Sequence, residues 1–430
     1  MVYRSKLINR IIAGAIALIF IFLSCSDEKT IQVDYVRPDV ILDLAIDSTA
    51  DGSISLSWTA PADNQNADIA SYEIRYSYNN NDSVEDWLVY QSDIRPSKTG
   101  QPENIILNNL HQGPRCYIRI CSIDKSGNKS EWSNTVSDYA VYNTTVSFVD
   151  SELEATVRYA IDKPEGELYY KELLEIAKIS KYGSNISNLS GIEYLKNIEN
   201  IYLPISKISN LNSLSELKYL SYLVLTRAQI SDLLPIANLP NIECIALAQN
   251  QLSDISVLAN FENLRLLDVS YNQVTDISCL ENLKMLEYLH LDCNDIDNFD
   301  IISGFPNLND LSLYNSNVED ISFIENLTCL RNLRLGLNDI SDLSPLNGLD
   351  KLQYVILYYN DIEDISVLAQ HINLHKLYLD ANRITDILPL VQNSGLNGGD
   401  SVYLYENPLS WQSINEYIPA LEERGVVVFY

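Results

Sequence analysis

A strict 22-residue repeat constrains the fold of this 430-residue chain more than any other feature of its sequence. The unit reads L-x-x-L-x-L-x-x-N-x-I-x-D-I-x-x-L, and it is present nine times in register, followed by a tenth copy that ends at Asn407 after a step of 25. Its ninth position is occupied in order by Ser206, Ala228, Asn250, Asn272, Asn294, Ser316, Asn338, Asn360 and Asn382. One such unit cannot bury its apolar side chains alone, so the repeats must stack into a solenoid with one continuous core.

The pattern within each unit predicts its local structure. Alternating L-x-L is typical of a short strand whose leucines point into the coil, and neighbouring coils would align these strands in parallel. The Asn side chain can bond the backbone groups that become free where the strand ends. The Asp at the thirteenth position precedes a short helical turn, whose free N–H groups its carboxylate can cap. We therefore expect capping rather than cation binding from the column Asp232, Asp254, Asp276, Asn298, Asp320, Asp342, Asp364 and Asp386.

These repeats resemble the leucine-rich repeats of bacterial internalins. The resemblance implies an α/β solenoid with parallel strands on its concave face and a helical cap at each end. It places an N-terminal cap at 141–196, in which 168–179 forms a second helix, then repeats at 197–409 and a C-terminal cap at 410–430. The residues that carry the resemblance of the caps are Phe148, Asp150, Leu153, Val157, Pro164 and Gly166 before the repeats, and Asn407-Pro408-Leu409-Ser410 where the repeats end.

Residues 36–140 show a different pattern, with short alternating strands separated by turn residues. Alternation is clear at 54–58, 72–76 and 116–120, and this spacing is typical of an antiparallel β-sandwich. With Trp58 in the second strand and Leu110, Gly113 and Tyr117 before the sixth, the segment resembles a fibronectin type III domain. We expect it to act as a spacer, with ligand binding through its loops as the alternative.

The first 24 residues predict a bacterial lipoprotein signal peptide. Three basic residues precede a 13-residue apolar or small run, which is too short to span a bilayer and ends at Leu23-Ser24-Cys25. This resembles a lipobox, which implies lipidation of Cys25, an acidic tether at 25–35 and attachment to the bacterial outer membrane. Ser26-Asp27-Glu28 resembles an export tag for the cell surface. A plain secretory signal is the alternative.

The charge balance argues against nucleic acid as a partner. The chain has a formal net charge of −29, and an acidic surface repels phosphate backbones. Apart from Cys25, the cysteines show no zinc-site spacing, so we expect buried or half-buried free thiols at Cys116, Cys121, Cys244, Cys279, Cys293 and Cys329.

No motif indicates catalysis, a metal or a cofactor. Asp268, His290 and Ser312 occupy one column on adjacent strands, but neither a nucleophile elbow nor an oxyanion loop accompanies them. His371 and His375 are four residues apart on a loop and a strand edge, where we do not expect a metal-ligand pair. The sequence therefore predicts a binding protein rather than an enzyme.

Tyrosine clusters at the outward-facing positions of the last strands. Five of nine such positions on the last three strands are Tyr, against four of 21 on the first seven. Gly336 leaves a slot in one column, and Arg334, Lys376 and Asp380 border the cluster. Aromatic side chains on a rigid concave surface suit protein recognition. We predict a protein ligand, in an adhesin or interaction module, at Tyr314, Arg334, Tyr354, Tyr358, Tyr378, Tyr403 and Tyr405. A glycan ligand, a structural envelope role and tyrosine stacking for sheet stability alone are the alternatives.

Overall fold

A computed structural model of the chain describes residues 34–63 and 68–430. Cys25 and the Ser26-Asp27-Glu28 segment lie outside these residues. The chain divides into two compact units, the first ending with Arg115–Ala140 and the second formed by Gln112–Pro114 and Val141–Tyr430. None of the helices in this part of the chain combines the length and hydrophobicity that a bilayer-spanning segment requires.

The first unit is the predicted antiparallel sandwich. Its strands are β1 Ala45–Ala50, β2 Ser53–Thr59, β3 Ser71–Ser77, β4 Leu88–Tyr90, β5 Pro102–Leu107, β6 Cys116–Ile123 and β7 Val136–Asp138, with a 3₁₀ turn at Val84–Asp86. One sheet has the order β1-β2-β5 and the other the order β4-β3-β6-β7. Alternate residues of β2 are buried, and the rings of Trp58 and Tyr72 meet edge to face with 5.1 Å between their centroids.

The second unit begins with a small cap. Strands β8 (Thr145–Val146) and β9 (Leu168–Tyr169) pair antiparallel, and the helix Ser151–Ala160 lies between them in the sequence. N–H groups in the first turn of this helix donate to the carboxylate of Asp150. The expected second helix at 168–179 is much shorter, Tyr170–Leu173. Residues 178–180 instead form a strand, because the 22-residue register extends one coil further towards the N-terminus than the consensus shows and aligns Ile179 with Ile201.

The solenoid carries one parallel sheet of twelve strands. Each strand pairs with the next along the chain, usually 22 residues later, so that Tyr354 lies opposite Lys376. The sheet comprises β10 Lys178–Ser180, β11 Asn200–Tyr202, β12 Tyr222–Val224, β13 Cys244–Ala246, β14 Leu266–Asp268, β15 Tyr288–His290, β16 Asp310–Ser312, β17 Asn332–Arg334, β18 Tyr354–Ile356, β19 Lys376–Tyr378, β20 Ser401–Tyr403 and β21 Val427–Phe429. The predicted leucine-rich repeat architecture is confirmed.

Short helical turns line the opposite side of the coils. Their apolar side chains and those of the strands form one continuous buried core. The 3₁₀ turns are Ile192–Tyr194, Asn212–Leu214, Leu234–Ile236, Ser256–Asn260, Ser278–Leu280, Asp300–Gly304, Ser322–Ile324, Ser344–Leu346 and Ser366–Gln370, followed by α-helices at Leu388–Gln392 and Ile418–Glu423 and a π-helical turn at Ser413–Tyr417. The last helix leads into β21, which covers the end of the sheet.

The ninth-position asparagines form a hydrogen-bonded ladder between coils. Asn294 is typical: its side-chain N–H₂ donates to the carbonyls of Val269 and Leu291 at 3.0 Å, and its side-chain oxygen accepts from the Val274 N–H at 3.0 Å. The predicted role is confirmed, because these bonds satisfy backbone groups that the strand ends leave buried.

The Asp column caps the turns as expected. The carboxylate of Asp276 accepts the Ser278 N–H at 2.8 Å, and Asn298 makes the same bond to Asp300 through its amide oxygen. The same contact recurs at Asp232, Asp254, Asp320, Asp342, Asp364 and Asp386. These bonds from the serine N–H groups hold the pKa values of Asp254, Asp276 and Asp342 below the usual range.

The residue before each ladder position has a left-handed backbone conformation. None of these residues is glycine, although a positive φ is unfavourable for residues with a Cβ atom. Their φ angles lie between 51° and 59° at Ile205, Arg227, Gln249, Tyr271, Cys293, Asn315, Leu337, Tyr359, Ala381 and Glu406. Because this turn lets the chain leave the sheet in every coil, the stacked core must hold it in place.

The cysteines match the prediction of free thiols. Cys116, Cys121 and Cys244 are buried, while the other three described cysteines, Cys279, Cys293 and Cys329, are half-buried. Burial raises the pKa of Cys116 to about 12, so this thiol stays protonated and unreactive.

Candidate functional site

The outward face of the C-terminal strands is the candidate site. We call the six tyrosines predicted there the tyrosine patch: Tyr314, Tyr354, Tyr358, Tyr378, Tyr403 and Tyr405. The strand register aligns Ile356, Tyr378, Tyr403 and Phe429 in one column across β18 to β21. Because neighbouring strands lie about 4.8 Å apart, side chains aligned in this way must touch.

Three rings of this column form a continuous stack, which we call the aromatic stack. The centroids of Tyr378 and Tyr403 are 4.3 Å apart and their planes differ by 10°, and Tyr403 and Phe429 are 4.5 Å apart with the same 10° angle. The ring of Tyr405 lies 6.4 Å from Phe429, tilted by 42°. Both faces of the Tyr403 ring are therefore covered by aromatic neighbours.

Phe429 is a member of the site that the sequence analysis missed. The C-terminal Gly425–Val428 segment was assigned to the cap, whereas β21 pairs in register with β20 and places Phe429 beside Tyr403. The alternation of Val427, Val428 and Phe429, in which only Val428 is buried, was the signal that could have shown another strand.

A second aromatic cluster lies around Tyr358. Its ring is 6.0 Å from that of Tyr314 and 6.0 Å from that of Tyr359. The expected slot at Gly336 is absent, because the Tyr358 ring fills it: a Cβ atom on Gly336 would lie only 3.1 Å from that ring. Burial is the main cause and the neighbouring Tyr314 the second cause that raises the pKa of Tyr358 to about 12. Its hydroxyl therefore remains a hydrogen-bond donor.

Tyr271 adjoins this second cluster and was also missed by the outward-facing pattern. It stands at one of the left-handed positions rather than on the strand itself, and its side chain is exposed. A hydrogen bond to Cys293, together with partial burial, raises the pKa of Tyr271 to about 12. The repeat does contain a signal for this exposed position, because the residue before each ladder position has the same left-handed conformation in successive coils.

Arg334 does not act as a free cation beside the patch. Its guanidinium donates to the carboxylate of Asp310, which also contacts His290 at 3.0 Å and Asn332 at 2.8 Å. Burial works to raise the pKa of Asp310, but the bonds from His290 and Arg334 outweigh it and hold that pKa below its usual range. Arg334 was expected to offer its positive charge to a ligand. Instead it forms an ion pair with Asp310, which the sequence analysis did not consider.

A depression of about 330 Å³ lies between the Asp310 contacts and the aromatic stack. Tyr354, 42% exposed, stands at its edge, as does the exposed Lys376. Its lining is Asn332, Arg334, Tyr354, Ile356, Lys376 and Tyr378, from three neighbouring strands. Three of the predicted site residues, Arg334, Tyr354 and Tyr378, are thus brought together around one concave surface.

The Asp268, His290 and Ser312 column does not have the contacts of a catalytic triad. His290 bonds Asp310, while the Ser312 hydroxyl donates to Asp292. His371 and His375 also have separate partners: the ring nitrogens of His371 face the carbonyls of Val367 and Leu346, and His375 contacts Asp400. Each of these side chains has a structural partner on its own or a neighbouring coil.

Comparison with known proteins identifies both units. Residues 39–139 match the model of the fibronectin type III domain. A crystal structure of an internalin, InlF from Listeria monocytogenes, is similar to the chain with 29% sequence identity and a TM-score of 0.58, covering 66% of this chain and 89% of its own.

Two further solved structures are similar to the chain. Internalin C2 from Listeria monocytogenes has 28% identity and a TM-score of 0.37, and the match covers 61% of this chain and 94% of internalin C2. The leucine-rich repeat ectodomain of the receptor kinase GASSHO1/SCHENGEN3 from Arabidopsis thaliana has 19% identity and a TM-score of 0.49, and the match covers 61% of this chain and 36% of that structure. No curated protein matches the sequence. On the match to the domain model and the similarity to InlF, the chain combines a fibronectin type III domain with an internalin-like leucine-rich repeat solenoid.

Proposed function

We propose that this chain is a surface adhesin or interaction module that binds a protein ligand through the tyrosine patch. The observation that carries the proposal is the outward-facing aromatic surface on β18 to β21, adjoining a depression of about 330 Å³. Internalin-like repeats and fibronectin type III domains are interaction modules, which supports a binding role rather than catalysis. Tyrosines on rigid strands offer large contact areas at little entropic cost.

The ring geometry favours a protein ligand over a glycan. A sugar would need the open face of an aromatic ring, but Tyr403 has both faces covered and Tyr378 has one face against it. What these stacked rings present to solvent is their edges and hydroxyls. Edges and hydroxyls suit the mixture of apolar groups and hydrogen-bond acceptors on a protein surface.

The charges around the patch narrow the ligand further. Arg334 is neutralised by Asp310, which leaves the exposed Lys376 as the cation at the depression. The whole chain is strongly acidic, with a net charge of −29. A protein ligand whose binding surface has apolar groups at its centre and basic residues around them would therefore associate fastest. Its association rate would fall as salt is added.

Probing arrays of extracellular protein domains and of glycans with the purified chain tests this function. We expect saturable binding to at least one protein domain, and we expect this binding to become weaker when the salt concentration is raised. Binding confined to the glycan array would contradict the proposal and favour the alternative ligand class.

The proposed location is the bacterial outer membrane, with a lipid on Cys25 and the chain exposed at the cell surface. The support is the basic start, short apolar run and Leu23-Ser24-Cys25 ending of the first segment. Cys25→Ala is expected to abolish fatty-acid labelling and release the chain from membranes, with Cys329→Ala as the matched control. Equal labelling of the Cys25→Ala variant would contradict lipidation at this residue.

A further inference from the structure

Three carboxylates from distant parts of the sequence converge in the fibronectin type III unit. Each of Asp34, Asp63 and Asp124 offers one carboxylate oxygen, and these oxygens all lie within 4.8 Å of one another. Asp34 precedes the first strand, Asp63 follows β2 and Asp124 follows β6 directly. Like charges at this distance repel strongly unless a cation or a proton separates them.

Asp63 contributes a nearly buried carboxylate to the cluster. Its side chain is only 8% exposed, and its Oδ1 atom is buried with no hydrogen-bond partner among the described residues. Leaving a carboxylate oxygen buried and unpaired is costly, so such atoms in folded proteins usually bind an ion or water. No lysine or arginine of the described chain forms an ion pair with Asp63 or Asp124.

Asp124 is held rigidly beside it. Its Oδ1 atom accepts the N–H groups of Ser126 and Asn128, both at 2.8 Å, and its Oδ2 atom accepts from the Asn128 side chain at 2.7 Å. These three hydrogen bonds hold the carboxylate of Asp124 in one orientation. Its carboxylate is therefore in place before any ligand arrives.

The Asn128 side chain also positions the third carboxylate. Besides Asp124 it donates to the backbone carbonyls of Asp34 and Val36, at 2.9 and 3.2 Å, and the Asp34 carboxylate accepts the Val36 N–H at 2.9 Å. One amide thus links the loop after β6 to the segment that enters the domain.

We propose that Asp34, Asp63 and Asp124 form a Ca²⁺ site. The donors are all oxygens, which suit Ca²⁺ or Mg²⁺ and not the nitrogen and sulfur preference of zinc or copper. Carboxylates drawn from three separate segments make an irregular arrangement, which Ca²⁺ accepts with water completing its shell and which the strict octahedron of Mg²⁺ does not.

The site would join the entrance of the domain to its core. The segment after Asp34 is already tied to the segment after β2 by a hydrogen bond of 2.9 Å from the Asp39 N–H to the Ala62 carbonyl. A cation bridging Asp34 to Asp63 and Asp124 would fix the first residues of the domain to two loops. Ca²⁺ would therefore stiffen the point at which the preceding chain joins the sandwich.

Calorimetric titration of the full chain with CaCl₂, after removal of metal by EDTA, tests the site. We expect one saturable equivalent with a Kd of about 1 mM or tighter, in the range of extracellular calcium modules. Asp63→Asn is expected to weaken this binding at least tenfold. Asp43→Asn is the matched control, since its carboxylate accepts the Thr59 N–H elsewhere on the same unit.

Thermal melting provides a second readout that does not depend on calorimetry. Ca²⁺ is expected to raise the Tm of the parent and of Asp43→Asn but not that of Asp63→Asn, while in EDTA Asp63→Asn melts at or above the parent because one repelling charge is gone. Asp34→Asn, a change in a half-buried residue outside the strands, repeats the comparison without touching the core.

Three results would overturn the proposal. They are no Ca²⁺ response of the parent, equal affinity in the parent and both the Asp63→Asn and Asp34→Asn variants, and tighter binding of Mg²⁺ than of Ca²⁺. Equal affinity would assign the binding to the general acidity of the chain, and a preference for Mg²⁺ would contradict the choice of ion.

Discussion

The side chain of Asn360 shows what one ladder residue contributes to the solenoid. It is 7% exposed, donates to the carbonyls of Leu335 and Leu357 at 3.0 Å, and accepts from the Ile340 N–H at 3.0 Å. A buried backbone group left without a partner costs about 1–3 kcal/mol. We expect Asn360→Ala to lower the free energy of unfolding by at least about 2 kcal/mol, measured by urea denaturation.

The control for this change is Asn326→Ala, at an exposed asparagine on the outside of a coil. It should alter the stability by less than about 0.5 kcal/mol, as ordinary surface substitutions do. A loss at Asn360 as small as at Asn326 would contradict the ladder role.

The capping carboxylates give the solenoid a dependence on pH. Because the pKa values of Asp254, Asp276 and Asp342 are lowered on folding, their contribution to stability is complete above the unfolded pKa and is lost as the pH falls through the lower folded value. With the unfolded value near 3.8, this loss occurs below about pH 4.

Replacing these three residues by Asn together tests the effect. The amide oxygen of Asn can accept the same N–H, as Asn298 does from Asp300 at 2.8 Å, but it does not titrate. We expect the Tm of the triple variant to fall less than that of the parent between pH 5 and pH 3. Equal falls in both proteins would show that the caps do not contribute to the acid sensitivity.

At the scale of single elements, the irregular ninth coil depends on one glycine. A Cβ atom on Gly395 would lie 1.9 Å from the backbone oxygen of Ile372, which cannot move without displacing its coil, whereas a Cβ atom on Gly398 would meet nothing within 4 Å. Gly395→Ala is expected to cost about 3 kcal/mol or more, as severe overpacking does. Gly398→Ala serves as its control.

Thermal melting followed by circular dichroism measures both glycine variants. The Gly395→Ala variant should melt several degrees below the parent, and Gly398→Ala close to it. A Gly395→Ala variant as stable as Gly398→Ala would mean that the loop relaxes away from Ile372.

The elements differ in how far the sequence could predict them. Leucine alternation and the 22-residue step predict which side chains of β18 to β20 face outward, because the strand period leaves only one choice. The strand at 178–180 escaped prediction, since its coil has Ser184 at the ladder position and lacks the consensus that marks the later repeats. The strand that contains Phe429 also escaped prediction, because its residues were expected to belong to the C-terminal cap.

Contacts between side chains were harder to predict than the direction in which each one points. The ion pair of Arg334 with Asp310 joins adjacent strands, but the pattern gave no reason to prefer it over a free arginine. Asp34, Asp63 and Asp124 are far apart in the chain and share no motif, so only the folded sandwich brings them together. Hence the sequence predicted the architecture and the outward-facing tyrosines, but neither the partner of Arg334 nor the carboxylate cluster.

The two units of the chain carry the two proposed sites separately. The sandwich holds the Ca²⁺ site that we propose near the point where the chain enters it. The solenoid displays the tyrosine patch on strands whose stability comes from the leucine core and the asparagine ladder. Since the patch residues are exposed or half-buried, binding and folding can be perturbed separately.

The affinity of a Tyr358→Ala, Tyr378→Ala double variant for the protein ligand found on the array shows whether the tyrosine patch is the ligand site. Anchors of this kind are worth about 2 kcal/mol each, so removing two should raise the Kd about a hundredfold or more, while circular dichroism shows a folded solenoid. The matched Tyr202→Ala, Tyr222→Ala variant, on the first strands of the same face, should bind like the parent. Unchanged affinity of the Tyr358→Ala, Tyr378→Ala variant would contradict the claim that the tyrosine patch is the ligand site.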